Sequence, residues 1–157
     1  MLWRFAIAAV ISAVLAASGG FDGKWVIDRS STGDEPVPVH LVQKMKTNGS
    51  EIEVESTFAE PAGGVVPLLY VGIMAGKLTL ASDGSERQNQ IGPFQQASKT
   101  TLDGSTMATD WTAVIRGEPV QGKWVRTLSP DGRAMTLEIQ ESSKGVDHRA
   151  MLKFRRQ

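Results

Sequence analysis

The sequence predicts an all-β fold: an antiparallel up-and-down meander of about eight to ten short strands closed into a barrel. Three observations predict it. From Val37 onward apolar residues alternate with polar ones, the period of strands with one buried face. Turn dipeptides recur between the alternating runs, at Asn48-Gly49, Asp83-Gly84, Asp103-Gly104 and Asp131-Gly132. No later stretch has a sustained helical period, so the crossover helices that a parallel sheet needs are not expected. Closing the meander is the simplest way to remove two exposed sheet edges, and a two-sheet sandwich is the other solution.

The chain opens with MLWRFAIAAVISAVLAASGG. One cation, Arg4, precedes an apolar run from Phe5 to Ala17 that only Ser12 interrupts, and small residues follow. That is the order of a secretory signal peptide, and the run is shorter than the roughly 20 residues of a spanning helix. Residues 1–18 are expected to be a signal peptide, cleaved near Ser18, and residues 19–157 a single β-barrel domain. The mature protein is expected outside the cytoplasm, periplasmic or secreted, with no membrane span after cleavage.

The first hairpin is VPVHLVQKMKTNGSEIEVESTF. A type I′ turn centred on Asn48-Gly49 pairs Thr47 with Ser50, Lys46 with Glu51, Met45 with Ile52, Lys44 with Glu53 and Val39 with Phe58. One face is then apolar and the other a ladder of opposite charges, each pair contributing about 0.2–1 kcal/mol. Glu51, Glu53 and Glu55 are therefore read as a solvated face balanced by lysines, not as a metal site. The same reasoning about Asp103-Gly104 sets Phe94, Gln96, Ser98 and Thr100 opposite Ala113, Trp111, Thr109 and Met107. That shared face is polar for a core, which suits a cavity holding water or a ligand.

Later, MTLEI turns Met135, Leu137 and Ile139 inward, and HRAMLKF puts His148, Ala150, Leu152 and Phe154 on one side. Pro130-Asp131-Gly132 suits a type I turn with a glycine bulge that pairs Ser129 with Arg133, which turns Trp124 and Arg126 outward. The segment AEPAGGVVPLLYVGIMAG, residues 59–76, breaks the meander and is either a buried strand or a flap over the barrel mouth.

Composition narrows the chemistry. Seventeen basic residues balance seventeen acidic ones, leaving no basic excess for nucleic acid. There is no cysteine, hence no disulfide, thiolate nucleophile or thiolate metal site. The two histidines, His40 and His148, make no triad with a nucleophile elbow, and parity puts His40 outward. The glycine pairs do not form a phosphate-binding loop. No catalytic residue, metal or cofactor is expected, and the protein is read as a non-enzyme acting as a monomer.

The stretch GGFDGKWVIDRS, following the expected cleavage site, contains a G-x-W motif at the start of the meander. It resembles the opening motif of the calycins, the superfamily of lipocalins and fatty-acid-binding proteins, and the ordering of the chain resembles small exported bacterial lipocalin-like domains. The resemblance implies a lipocalin-like barrel in which Trp25, after Gly23, closes one end while a basic residue of the last strand, Arg155 or Arg156, lies across its ring. GKWV recurs at residues 122–125 without the preceding Phe-Asp, and is read as a second strand that begins at a glycine. The chain departs from well-known calycins in having no Thr-Asp-Tyr motif and no Arg-x-Tyr pair.

Three functions follow. The first is a barrel that binds a small, largely apolar molecule among Phe58, Leu69, Tyr70, Phe94, Gln96, Ser98, Met107 and Trp111. The second is an interaction protein using an outer patch of Trp124 and Arg126. The third is a haem-binding barrel, or a hydrolytic enzyme, resting on His148.

Overall fold

The computed structural model describes residues 18–29, 40–59 and 76–157. A short 3-10 turn, Ser18–Phe21, precedes ten strands. These are β1 (Gly23–Ile27), β2 (His40–Asn48), β3 (Glu51–Ala59), β4 (Lys77–Ala81), β5 (Asp83–Ile91), β6 (Phe94–Asp103), β7 (Thr106–Ile115), β8 (Glu118–Leu128), β9 (Ala134–Ser143) and β10 (Val146–Arg156). They form one antiparallel sheet in the order β4-β3-β2-β1-β10-β9-β8-β7-β6-β5. Pairing of β1 with β10 joins the two ends of the chain, and the sheet curls into a nearly closed barrel whose remaining seam lies between β4 and β5.

That seam is bridged by a side chain. The Thr79 N–H donates to Asn89 Oδ1 at 2.8 Å, and Asn89 Nδ2 donates back to Thr79 O at 3.1 Å. The carboxamide thus presents the same donor and acceptor as a peptide unit would, and satisfies the part-buried N–H and C=O of Thr79 across the seam.

The expected barrel forms, and the hairpins at Asn48-Gly49 and Asp103-Gly104 keep their expected faces, but both slip by one position. The structure pairs Asn48 with Glu51 and Met45 with Val54, and Leu41 takes the place expected for Val39 opposite Phe58. At the later turn Asp103 pairs with Thr106 and Ser98 with Trp111. The loop residues are Gly49-Ser50 and Gly104-Ser105. Glycine leads each loop, with φ of 63° and 57°, while neither serine is left-handed. This is the pattern of a II′ turn, where only the first central residue needs positive φ. Each slip moves the partner by two residues, so the inward set is unchanged. Lys46 now faces Glu53, and Lys77 bonds the same carboxylate at 3.0 Å, consistent with a solvated charge ladder. Asp83-Gly84 makes no tight turn; it opens β5 at a register irregularity.

The turn after β8 overturns the expected direction of Trp124 and Arg126. Ser129 pairs with Ala134, not Arg133, enclosing four loop residues. Asp131 sets that length: its Oδ1 accepts from Ser129 Oγ at 2.6 Å and from the Arg133 N–H at 3.0 Å, while the Ala134 N–H reaches Ser129 Oγ at 2.9 Å. One more loop residue reverses every side chain on the strand. Trp124 therefore lies opposite Ile139 and Arg126 opposite Leu137, both inside the barrel with no exposed surface. Val125 and Thr127, expected inside, pair with Glu138 and Thr136 on the outer face.

The core is one cluster running from Phe21, Trp25 and Phe154 at one end, through Met45, Val54, Leu80 and Leu137, to Ile91, Ile115 and Val120 at the other. The end at Trp25 is sealed. Trp25 Nε1 donates to Phe21 O at 2.8 Å, and Asp22 Oδ1 accepts from the Thr47 N–H and hydroxyl at 2.8 and 2.6 Å. Arg156 lies over the Trp25 ring, its Cζ 4.6 Å from the centroid, and donates to Gly20 O. Arg155 turns away to pair with Asp28 at 3.1 Å, so of the two arginines it is Arg156 that covers the tryptophan. Among the described residues no helix is long and apolar enough to cross a membrane. The expected signal peptide, except Ser18, and nearly all of the segment 59–76 lie outside the described residues.

Candidate functional site

The inner wall made by β5 to β9 carries the polar interior. Register brings the inward residues into rows. Arg87, Ser98, Trp111, Gly122, Glu141 and His148 form one row across six strands. Toward the sealed end, Thr100, Thr109, Trp124, Ile139 and Ala150 form the next, then Leu102, Met107, Arg126, Leu137 and Leu152.

Some of this polarity is internally satisfied. The hydroxyls of Thr100 and Thr109 bond each other at 2.8 Å, and Asn89 Nδ2 reaches Ser98 Oγ at 3.4 Å. On the opposite side Gln43 Nε2 donates to Ser56 Oγ at 3.2 Å. Much is not satisfied. Both amide atoms of Gln96, the indole nitrogens of Trp111 and Trp124, all three guanidinium nitrogens of Arg126 and Oε1 of Glu141 are buried without a hydrogen-bond partner among the described residues. A buried unpaired charge is far costlier than an unpaired amide, so Arg126 dominates the electrostatics of this wall. Burial alone pushes its guanidinium down to about 10. The Trp124 ring is a favourable neighbour, its centroid 5.9 Å from Cζ. Trp124 in turn packs against Trp111 at 5.5 Å between centroids, tilted by 37°.

Of the residues expected to line a site, Gln96, Ser98, Met107 and Trp111 are buried on this inner wall, and Phe94 and Phe58 are partly buried against the core. Phe58 stands across the barrel on β3, away from the other five. Leu69 and Tyr70 fall outside the described residues. Trp124, Arg126 and Glu141 were missed as interior residues. The signal that could have found the first two was the Ser-x-Asp pattern at residues 129–131, which lengthens the loop and reverses their parity. The signal for Glu141 was parity, since it continues the inward series Met135, Leu137 and Ile139 at the same spacing of two, and it is 3% exposed. Burial raises its carboxyl above the usual range, and His148 pulls it the other way.

His148 keeps the inward register but stands exposed near the outer end of β10, opposite Glu141. The outer patch expected of Trp124 and Arg126 does not exist, because both are buried. A depression of about 570 Å³ follows the row from Ser98 to His148 and takes in the outward residues on either side, Lys99, Asp110 and Lys123 among them. Among the described residues no cluster of three or more histidine, aspartate or glutamate side chains could hold a metal.

Solved structures share this antiparallel barrel fold. A fatty acid transporter, REP1-NXSQ, superposes with a TM-score of 0.53 at 10% identity, covering 89% of this chain and 98% of its own. The fold is a calycin-like barrel. Fatty-acid-binding protein 1 of Echinococcus granulosus shares this fold with a TM-score of 0.52 at 10% identity, covering 88% and 98% of the two chains. Secretory abundant heat soluble protein 4 of Ramazzottius varieornatus does so at 0.51 and 13%, covering 87% and 94%. No family model and no curated protein matches the sequence.

Proposed function

We propose that this calycin barrel binds a small amphipathic anion, an apolar chain ending in a carboxylate, with Arg126 as the counter-charge inside the barrel. The observation that carries the reading is a guanidinium with no exposed surface and no partner on any of its three nitrogens. Such a charge is unfavourable on its own and gains most from an anion that arrives with an apolar body. Gln96 and the Trp124 indole offer further donors on the same wall, and Met45, Ile52, Val54, Leu78 and Leu80 supply the apolar surface facing it. Entry of the head group displaces Met107, the cross-strand neighbour of Arg126, whose unbranched side chain repacks readily. Two proteins with this fold are a fatty acid transporter and a fatty-acid-binding protein, which supports the ligand class. Binding rather than catalysis suits this wall. We further propose that the mature chain begins near residue 19 and acts outside the cytoplasm; the charge and apolar order of residues 1–18 supports this, and amino-terminal sequencing of protein from its host is the check.

The binding experiment titrates the mature protein with dodecanoate and dodecanol, reading Trp111 and Trp124 fluorescence. Dodecanoate is expected to saturate, and to bind about 10- to 100-fold more tightly than the alcohol, the range of charge-assisted hydrogen bonds in a dry site. Arg126→Met should remove that preference. No saturable signal with either compound would overturn the reading.

A further inference from the structure

Gly122 sits between two polar atoms of opposite kind. A Cβ built there would lie 2.4 Å from Cε2 and Cζ2 of Trp111 and 2.6 Å from its Nε1. The Trp111 indole therefore crosses from β7 onto the bare backbone of β8, with its N–H edge over that strand, a position open only because residue 122 has no side chain. On the other flank of Gly122, in register, stands Glu141 of β9. Neighbouring strands are about 4.8 Å apart, so the indole N–H, having crossed one strand, stands about one strand spacing from the Glu141 backbone. The glutamate side chain spans a distance of that order. Even so, the two groups do not bond each other, and each is buried without a hydrogen-bond partner among the described residues, Nε1 as a donor and Oε1 as an acceptor.

We propose that this gap is a hydroxyl subsite: one ligand oxygen accepts from Trp111 Nε1 and donates to Glu141, while the acidic end of the same molecule meets Arg126. A hydroxyl both accepts and donates at a single atom. An ammonium could satisfy only Glu141, and a second carboxylate would satisfy only Trp111 while facing a like charge. The two stations belong to one ligand. Arg126 Cζ is 5.9 Å from the Trp124 ring, which is 5.5 Å from the Trp111 ring, so a medium-length chain reaches from one station to the other. The ligand class is then a hydroxylated long-chain carboxylate. This inference rests on the proposed anion site and adds a second requirement to it.

The test compares dodecanoate with its mid-chain and ω-hydroxy derivatives on the mature protein by isothermal titration calorimetry, then repeats the comparison on Glu141→Leu and Trp111→Phe. At least one hydroxy acid is expected to bind about tenfold more tightly than dodecanoate, as one charge-assisted hydrogen bond supplies. In both variants the ratio of the two affinities should fall to near one. If dodecanoate binds and no hydroxy derivative is preferred, or if the preference survives in Glu141→Leu, the hydroxyl subsite is wrong and the anion site stands. If no carboxylate binds, both readings fall.

Discussion

The barrel contains two arginines over two tryptophans, and they do opposite things. Arg156 lies 4.6 Å from the Trp25 ring at the rim, exposed to water and bonded to Gly20 O. Arg126 lies 5.9 Å from the Trp124 ring in the interior, with no water-accessible surface and no hydrogen-bond partner. The aromatic contact is worth about 0.5–2 kcal/mol in either place. What differs is the cost of the charge. At the rim solvent and a carbonyl satisfy the guanidinium; inside nothing does, and that cost is several kcal/mol for a buried ion. The first pair holds the barrel shut. The second makes sense only as half of an interaction whose other half comes from outside the chain.

The contrast predicts changes of opposite sign. Arg126→Met is expected to raise the stability of the ligand-free protein by about 1–4 kcal/mol, the range seen when buried ionic groups give way to well-packed apolar ones. Urea unfolding checks it, and a loss of stability would mean that Arg126 is satisfied in solution. Arg156→Met should lower stability by about 1–2 kcal/mol, from the lost cation–π contact and one hydrogen bond. Its effect on carboxylate affinity should be small, which calorimetry measures beside the unfolding curve.

The smallest expected effect concerns Glu141. Its folded carboxyl titrates above the ordinary value, because burial outweighs the attraction of His148. Between the unfolded and the folded values the folded protein therefore keeps a proton that the unfolded chain has lost. Stability from this group is greatest on the acid side and declines as pH rises through the folded value. Glu141→Gln should match wild type at low pH and exceed it at neutral pH in a series of thermal melts. Asp131 and Asp83 work in the opposite sense. Both are held low by hydrogen bonds, chiefly from Ser129 and Ser85, and both lose that contribution as pH falls through their folded values.

The fold was legible because its main signal is periodic. Alternation and turn dipeptides survive a one-step error in a loop, and the inward sets Phe94 to Leu102 and Met107 to Ile115 were the same whichever residue led the turn. The seal at Trp25 was legible through a short motif, although the choice between Arg155 and Arg156 needed the register of the last strand. The site was half legible. Gln96, Ser98, Met107 and Trp111 followed from parity, whereas Trp124 and Arg126 were reversed by one added residue in the loop at Pro130. Parity carries an error along a whole strand, so a single side chain, Asp131, decided whether the charge that matters most lay inside or out. Gly122 was noticed only as part of a repeated GKWV; that it makes room for an indole is a tertiary fact that no local pattern encodes.

The carboxamide of Asn89 has a consequence for how the barrel moves. Everywhere else around the ring, separating two strands means breaking a row of backbone bonds together, a cooperative event. Between β4 and β5 the Thr79 peptide is held by one rotatable side chain, and turning that amide aside releases both of its bonds at once. The ring thus has a clasp, whose opening and closing cost little compared with any other way of parting the wall. Amide exchange at Thr79 reports the motion of that clasp and not the unfolding of the protein.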